Sequence, residues 1–189
     1  MNEGTPHVSS QQSILMTTPQ AATKTRQPWK LKLILVAWMA ALGIDFLWHG
    51  GFLSEIYTQP NPALLDPMQA FLRIPFGYGA LLIQVVLFYW FFSLTGVDEW
   101  RKGLKIGFIF GSLAGIASIL GQYSILALEL GLLILWGVGQ LIEVTAMGAV
   151  LGAGISAASL RSLGKRVTAL VLIAVLFTII MQNAVHWIE

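Results

Sequence analysis

The sequence contains no cysteine and few charged residues. Without cysteine the chain forms no disulfide, thiolate metal site, iron–sulfur cluster or catalytic thiol. Charged residues make up 11% of the chain, whereas a soluble domain carries roughly 25%. Too few charges remain to cover a water-facing surface, which excludes an ordinary cytosolic enzyme, a nucleic-acid-binding protein and a disordered chain. No serine-protease, HExxH, P-loop or dinucleotide motif is present, so we expect no catalytic residues and no enzyme activity.

The chain contains long stretches that are almost free of charged residues. Five of them span residues 33–54, 74–97, 106–128, 130–160 and 167–188, and only Asp45 and Glu143 interrupt them. A bilayer core of ~30 Å needs ~20 apolar residues in a helix. Lipid offers no partner to unpaired backbone groups, so each stretch is helical. The sequence therefore predicts an all-α membrane bundle of five transmembrane helices.

The predicted domain organisation follows from these stretches. A polar segment, 1–30, is predicted to be a disordered cytoplasmic tail. The transmembrane domain covers 31–189, with spans at about 33–53, 70–94, 104–123, 130–157 and 167–187. Asp66 followed by Pro67 is typical of a helix start, so the second helix is predicted to begin there.

Basic residues predict the orientation of the bundle. Ten of the eleven Lys and Arg residues lie on one predicted side: Lys24, Arg26, Lys30, Lys32, Arg101, Lys102, Lys105, Arg161, Lys165 and Arg166. Loops rich in Lys and Arg stay in the cytoplasm. We therefore expect a multi-pass protein of the inner (plasma) membrane with its N-terminus in the cytoplasm and its C-terminus outside.

Small residues recur every four positions in the third and fourth spans. The third span has Gly103, Gly107, Gly111 and Gly115, and the fourth has Gly148 and Gly152. Residues four apart share a helix face, and glycine lets a neighbouring backbone approach closely. We expect these strips to pack the two helices together. The alternative is a seam for a homo-oligomer or for a larger membrane complex.

Polar side chains inside the spans are the candidate functional residues, because an ionisable group in a membrane is costly and marks a site by default. Asp45 and His49 lie one turn apart in the first span. Arg73 lies near the outer end of the second span, from which its long side chain could reach Asp45. Gln140 and Glu143 lie one turn apart in the fourth span. Counting along the helices places Glu143 several ångströms deeper than Asp45.

Cofactor and metal sites remain alternatives. His49 and His186 are expected at similar depth on different helices, as in a bis-histidine haem or pigment site. A metal site formed by these two histidines with Asp45 and Glu143 has suitable ligand types. The greater depth of Glu143 argues against it. We therefore predict no bound cofactor or metal.

The segment Asp45-Phe46-Leu47-Trp48-His49-Gly50, together with Trp136-Gly137, resembles a pattern in small multi-pass bacterial membrane proteins. These proteins are grouped as a domain of unknown function. The resemblance implies a bacterial inner-membrane setting and no mechanism.

The predicted function is binding or transport of a small solute or ion through a polar intramembrane pocket. Asp45, His49, Arg73, Gln140 and Glu143 would form the pocket, and Glu143 would exchange protons with the bound species. One alternative is a non-catalytic accessory or assembly subunit of a larger membrane complex. Another is a haem- or pigment-binding electron-transfer protein that uses His49 and His186. The expected partners are the lipid bilayer and a small solute or ion, with no nucleic acid.

Overall fold

The computed structural model describes Met1, residues 30–59 and residues 61–185. These residues form helices and no strand. The elements are α1 (Lys30–Asp45), a π-helical segment (Phe46–Phe52), α2 (Ser54–Thr58), α3 (Pro67–Thr95), α4 (Trp100–Tyr123), α5 (Leu130–Ile155) and α6 (Leu160–Val185). The predicted tail lies almost wholly outside the described residues.

Five helical stretches are long and apolar enough to cross a membrane: Leu31–Phe52, Pro67–Thr95, Trp100–Tyr123, Leu130–Ile155 and Leu160–Asn183. The prediction of five apolar, membrane-length helices is confirmed. The last of them begins at Leu160, seven residues before the predicted start of the fifth span at residue 167. The helix therefore includes the basic residues Arg161, Lys165 and Arg166, which the prediction placed before the span.

The start of α3 shows how the local sequence sets a helix boundary. The Asp66 carboxylate accepts hydrogen bonds from the backbone N–H groups of Met68 and Gln69, both at 3.1 Å. These are amides that the first turn of a helix would otherwise leave unpaired. Pro67 occupies the first helical position, where no N–H is needed. The predicted start of the second membrane helix is confirmed.

Helices α4 and α5 approach each other through their glycines. An added Cβ at Gly107 would lie 2.6 Å from the carbonyl oxygen of Val144, and one at Gly115 would lie 2.9 Å from that of Gly137. At Gly103 the added atom would collide with the carbonyl oxygen of Gly148. Backbone therefore meets backbone along this contact, which only residues without a side chain allow.

The predicted glycine positions all lie at this contact, which we call the α4–α5 seam. Its members are Gly103, Gly107, Gly111 and Gly115 of α4 and Gly148 and Gly152 of α5. All six are buried within the chain. The strips therefore offer no free surface to a second protein, and an accessory role would need another face of the bundle.

Helix α1 lies among α3, α5 and α6 and brings its polar end against α5. Small side chains make this possible, since Ala37, Ala40 and Ala41 are fully buried. A Cβ added at Gly43 would lie 2.8 Å from a methyl carbon of Val171 on α6. Close packing on both sides therefore fixes the rotation of α1 about its axis, and with it the direction in which Asp45 points.

The π-helical segment Phe46–Phe52 continues α1 with a wider turn, shown by the hydrogen bond from the Leu53 amide to the Trp48 carbonyl five residues earlier. Side chains tie it to two other helices. The indole of Trp48 donates to the carbonyl of Leu135 on α5 at 3.0 Å, and the amide of Gln182 on α6 donates to the carbonyl of Gly50 at 2.7 Å. Such π-helical turns are rare and are frequently found at functional sites.

Candidate functional site

Three ionisable side chains from two helices meet inside the bundle. Asp45 ends α1, His49 lies in the π-helical segment, and Glu143 comes from the middle of α5. Each offers one oxygen or nitrogen, and these three atoms lie within 4.8 Å of one another. We call this group the Asp45–His49–Glu143 cluster. The i,i+4 spacing of the first two places His49 Nε2 3.9 Å from a carboxylate oxygen of Asp45.

Burial differs sharply within the cluster. Glu143 is 5% exposed, whereas the side chains of Asp45 and His49 are 24% and 31% exposed. Among the described residues, none donates a hydrogen bond to the Glu143 carboxyl and no Lys or Arg forms an ion pair with it. A buried carboxylate normally has such partners, because burying a charge without them is very costly. The cluster therefore lacks an internal positive counter-ion.

Tyr57 and Trp136 also belong to the site, and neither was among the predicted site residues. The hydroxyl of Tyr57, on α2, lies 2.6 Å from Nδ1 of His49. The indole N–H of Trp136, on α5, donates to the same hydroxyl oxygen at 2.7 Å. Tyr57 thus joins the short helix after the first membrane span to the cluster and to α5. The only signal was the position of Tyr57 two turns after His49.

Tyr57 lies outside the membrane-spanning stretches, and its surroundings keep it neutral. Burial raises the pKa of Tyr57 to about 12, and the negative charge of Asp45 adds to the rise, while the hydrogen bond from Trp136 opposes it. Its ordinary pKa is 10.0. The hydroxyl therefore keeps its proton at neutral pH and can both accept from Trp136 and share a hydrogen with His49.

A pH dependence of stability follows from this raised pKa. Above pH 10 the unfolded chain loses the Tyr57 proton while the folded protein retains it, so the free energy of unfolding falls as the pH rises from 10 towards 12. We expect the thermal midpoint of the wild type in detergent to drop more steeply over this range than that of Tyr57→Phe. Identical slopes for the two proteins would contradict the assignment.

Two of the predicted pocket residues lie outside the cluster. Arg73 is exposed on α3 and forms no ion pair with Asp45, so its side chain does not make the contact that its length would allow. The sequence of α3 does not reveal which face meets the bundle, because the helix is apolar on all sides. Gln140 is half-buried on α5, and no hydrogen bond joins it to the three cluster residues.

The predicted difference in depth does not separate the cluster residues. Counting from flanking charges placed the Glu143 carboxyl deeper than Asp45, yet their oxygens lie within 4.8 Å. That count assumes that each flanking charge lies at the membrane surface, and the packing of α1 against α5 sets the relative depth instead. The predicted difference in depth is therefore no obstacle to a shared metal site at Asp45, His49 and Glu143.

The alternative haem or pigment site depends on a residue beyond the described range. His186 lies outside the described residues, so its pairing with His49 stays a prediction. His49 is already engaged by Tyr57 and lies beside Asp45. The structure therefore offers His49 as part of the cluster.

The chemistry of the cluster is that of a cation site. Two carboxylates and an imidazole converge in a region surrounded by apolar helices, where electrostatic interactions are stronger than in water. Comparison with family models, curated proteins and solved structures gave no match. The function must therefore be inferred from the site itself.

Proposed function

We propose that this protein is a multi-pass membrane protein that binds a small cation at the Asp45–His49–Glu143 cluster and carries it across part or all of the bilayer. It acts as a binding or transport protein and not as an enzyme. The observation that carries this proposal is the meeting of two carboxylates and an imidazole within 4.8 Å, where no Lys or Arg of the described residues forms an ion pair with either carboxylate.

The charge balance of the bundle supports a cation over an anion or a neutral solute. Among the described residues, the ion pairs made by Lys or Arg are those of Lys102 with Asp98 and Glu99, at the beginning of α4. Like charges held close in a low-dielectric region repel strongly. A positive ligand relieves this repulsion, whereas an anion would add to it.

Partial exposure gives the ligand a route into the site. Asp45 and His49 are partly exposed, while Glu143 is buried. The short helix α2 and the segment 59–66 follow directly after the π-helical segment, on one side of the membrane. We infer that the cation enters from that side, meets Asp45 and His49 first, and is then held by Glu143.

Transport into proteoliposomes tests the proposal. The probes are Na⁺, K⁺, Mn²⁺, Zn²⁺ and methylammonium, each measured against liposomes without protein. We expect at least one of them to enter faster with the wild type and to lose that advantage with Glu143→Gln. The matched control is Glu129→Gln, which changes an exposed acid at the start of the same helix. Equal uptake by wild type and Glu143→Gln, or no uptake above protein-free liposomes for any probe, would overturn the transport function.

We further propose that the protein lies in a bacterial inner membrane, with the start of α1 in the cytoplasm. Described basic residues lie in the first two turns of α1, α4 and α6, which start on the same side in a five-helix bundle: Lys30, Lys32, Arg101, Lys102, Lys105, Arg161, Lys165 and Arg166. The positive-inside rule assigns that side to the cytoplasm.

Tags at the two ends test this topology. In intact spheroplasts we expect an impermeant thiol reagent to label a cysteine placed after Glu189 and not one placed before Lys30. The cysteine-free wild type is the blank. Labelling of both positions, or of neither until the cells are lysed, would show that the ends share a compartment and that the number of crossings is even.

A further inference from the structure

The three cluster residues have the spacing of metal ligands. In a zinc site the metal lies ~2.0–2.2 Å from each nitrogen or oxygen ligand, so two ligands of one ion are at most roughly 4.4 Å apart. The cluster atoms lie within 4.8 Å of one another without a metal. Neighbouring ligands of a tetrahedral ion lie roughly 3.3–3.6 Å apart, so the cluster atoms must approach one another by about 1 Å to share one ion, and rotation of the side chains can supply this movement.

Glu143 provides an independent indication of a ligand. It is 5% exposed, and among the described residues none gives its carboxyl a hydrogen bond. A buried carboxylate in a membrane needs a positive partner. Asp45 and His49 lie beside it, and a bound cation would give all three groups a positive partner.

The ligand types narrow the class of metal. A site of one imidazole nitrogen and two carboxylate oxygens suits first-row divalent ions such as Zn²⁺ and Mn²⁺. Calcium and magnesium favour oxygen ligands throughout, and copper(I) favours sulfur, which none of the three cluster residues supplies. Three protein ligands also leave coordination positions open, as in exchangeable sites and unlike closed structural ones.

We propose that Asp45, His49 and Glu143 bind one exchangeable divalent transition-metal ion of the Zn²⁺ and Mn²⁺ class, held inside the membrane. This inference rests on the proposed cation site and specifies its ligand. It places His49 Nε2, which faces Asp45, on the metal. Nδ1 then carries the ring hydrogen and donates it to Tyr57.

Tyr57 is a positioning residue in this arrangement. A metal-binding histidine donates its other ring N–H to an acceptor, which fixes the orientation and tautomer of the ring. The hydroxyl oxygen of Tyr57 is that acceptor, at 2.6 Å, and the indole of Trp136 holds it in place. The short helix α2, which follows the π-helical segment, thereby contributes to the site.

Metal binding to the purified full-length protein in detergent is the test. After treatment with chelator, we expect titration calorimetry with ZnCl₂ or MnCl₂ to give one ion per chain, and MgCl₂ and CaCl₂ to bind far more weakly. Glu143→Gln and His49→Gln should each weaken binding at least about tenfold, whereas Glu55→Gln, an exposed acid on α2, should leave it unchanged. Thermal unfolding of each variant confirms that it is folded.

The absorption spectrum of bound Co²⁺ distinguishes a positioning role of Tyr57 from a merely structural one. Co²⁺ gives visible absorption that depends on its ligand geometry. With Tyr57→Phe we expect affinity to fall about tenfold and the Co²⁺ spectrum at saturation to change. An unchanged spectrum with unchanged affinity would remove Tyr57 from the site.

The outcomes distinguish this inference from the proposed function. Absence of Zn²⁺ and Mn²⁺ binding, or equal binding by wild type, Glu143→Gln and His49→Gln, would overturn the metal site. If Na⁺, K⁺ or methylammonium still enters proteoliposomes in a Glu143-dependent manner, the proposed function stands with a different cation. Metal binding without transport of any probe would retain the site and refute transport.

Discussion

Replacement of Gly107 by leucine is expected to lower the thermal midpoint of the protein in detergent by about 6–12 °C and to reduce the yield of folded protein. Even the Cβ would lie 2.6 Å from the carbonyl oxygen of Val144 and 3.0 Å from the Cα of Thr145. These are backbone atoms of α5, so no side-chain rotation can relieve the collision and the helices must separate. Overpacking of this kind costs about 3 kcal/mol, and each kcal/mol corresponds to roughly 2–4 °C for a chain of this length.

Gly121→Leu is the matched control, because it introduces the same side chain near the other end of α4. A Cβ added at Gly121 meets nothing within 4 Å. Leucine also favours helix over glycine by roughly 1 kcal/mol, so this variant should be as stable as the wild type or slightly more so. Equal midpoints for Gly107→Leu and the wild type, measured by intrinsic fluorescence or light scattering on heating, would show that the α4–α5 seam does not hold the bundle together.

The membrane helices were predictable because their signal is local. A run of more than twenty residues without a charge has one stable form in lipid, and no knowledge of its neighbours is needed to recognise it. The start of α3 was predictable for the same reason, since Asp66 and Pro67 act on the first turn that they begin. The early start of α6 was not, because a helix can continue beyond the membrane with Arg161 and Lys165 on its surface.

The cluster was predictable within one helix and not between helices. The spacing of Asp45 and His49 puts them together whatever surrounds them. The position of Glu143 depends on how α5 packs against α1, where the indole of Trp48 lies against Gly139 and donates to Leu135. An added Cβ at Gly139 would lie 2.6 Å from that indole, so this glycine sets the distance between the two helices.

Arg73 and Tyr57 illustrate the opposite errors of sequence reasoning. Arg73 has the charge that Asp45 needs, but α3 turns it away from the bundle. Tyr57 follows the first span, a position that is typical of an ordinary interfacial aromatic residue. Its role comes from the fold of α2 back onto His49, at 2.6 Å, and from the indole of Trp136, distant in the sequence. Contacts between elements of this kind leave no periodic pattern in the chain.

The second large effect concerns Glu143 and has the opposite sign. Glu143→Leu is expected to raise the thermal midpoint of the cation-free protein by several degrees while abolishing cation binding. The carboxyl is buried, receives no hydrogen bond from the described residues and lies beside Asp45. Replacing a buried ion pair with apolar side chains of similar size is often neutral or stabilising, by up to about 4 kcal/mol. A buried carboxyl without a positive partner has no attraction to lose, so a gain of this order is expected here, and each kcal/mol corresponds to roughly 2–4 °C.

Glu129→Leu supplies the comparison, because it removes an acid from the same helix at an exposed position where the side chain caps no amide. A surface change of this kind alters stability by less than about 0.5 kcal/mol. If Glu143→Leu instead loses about 3 kcal/mol or more of stability, Glu143 is one half of a satisfied buried pair, because breaking such a pair costs this much. A gain would identify Glu143 as a group that destabilises the cation-free protein, as expected of a carboxyl whose positive partner is the ligand.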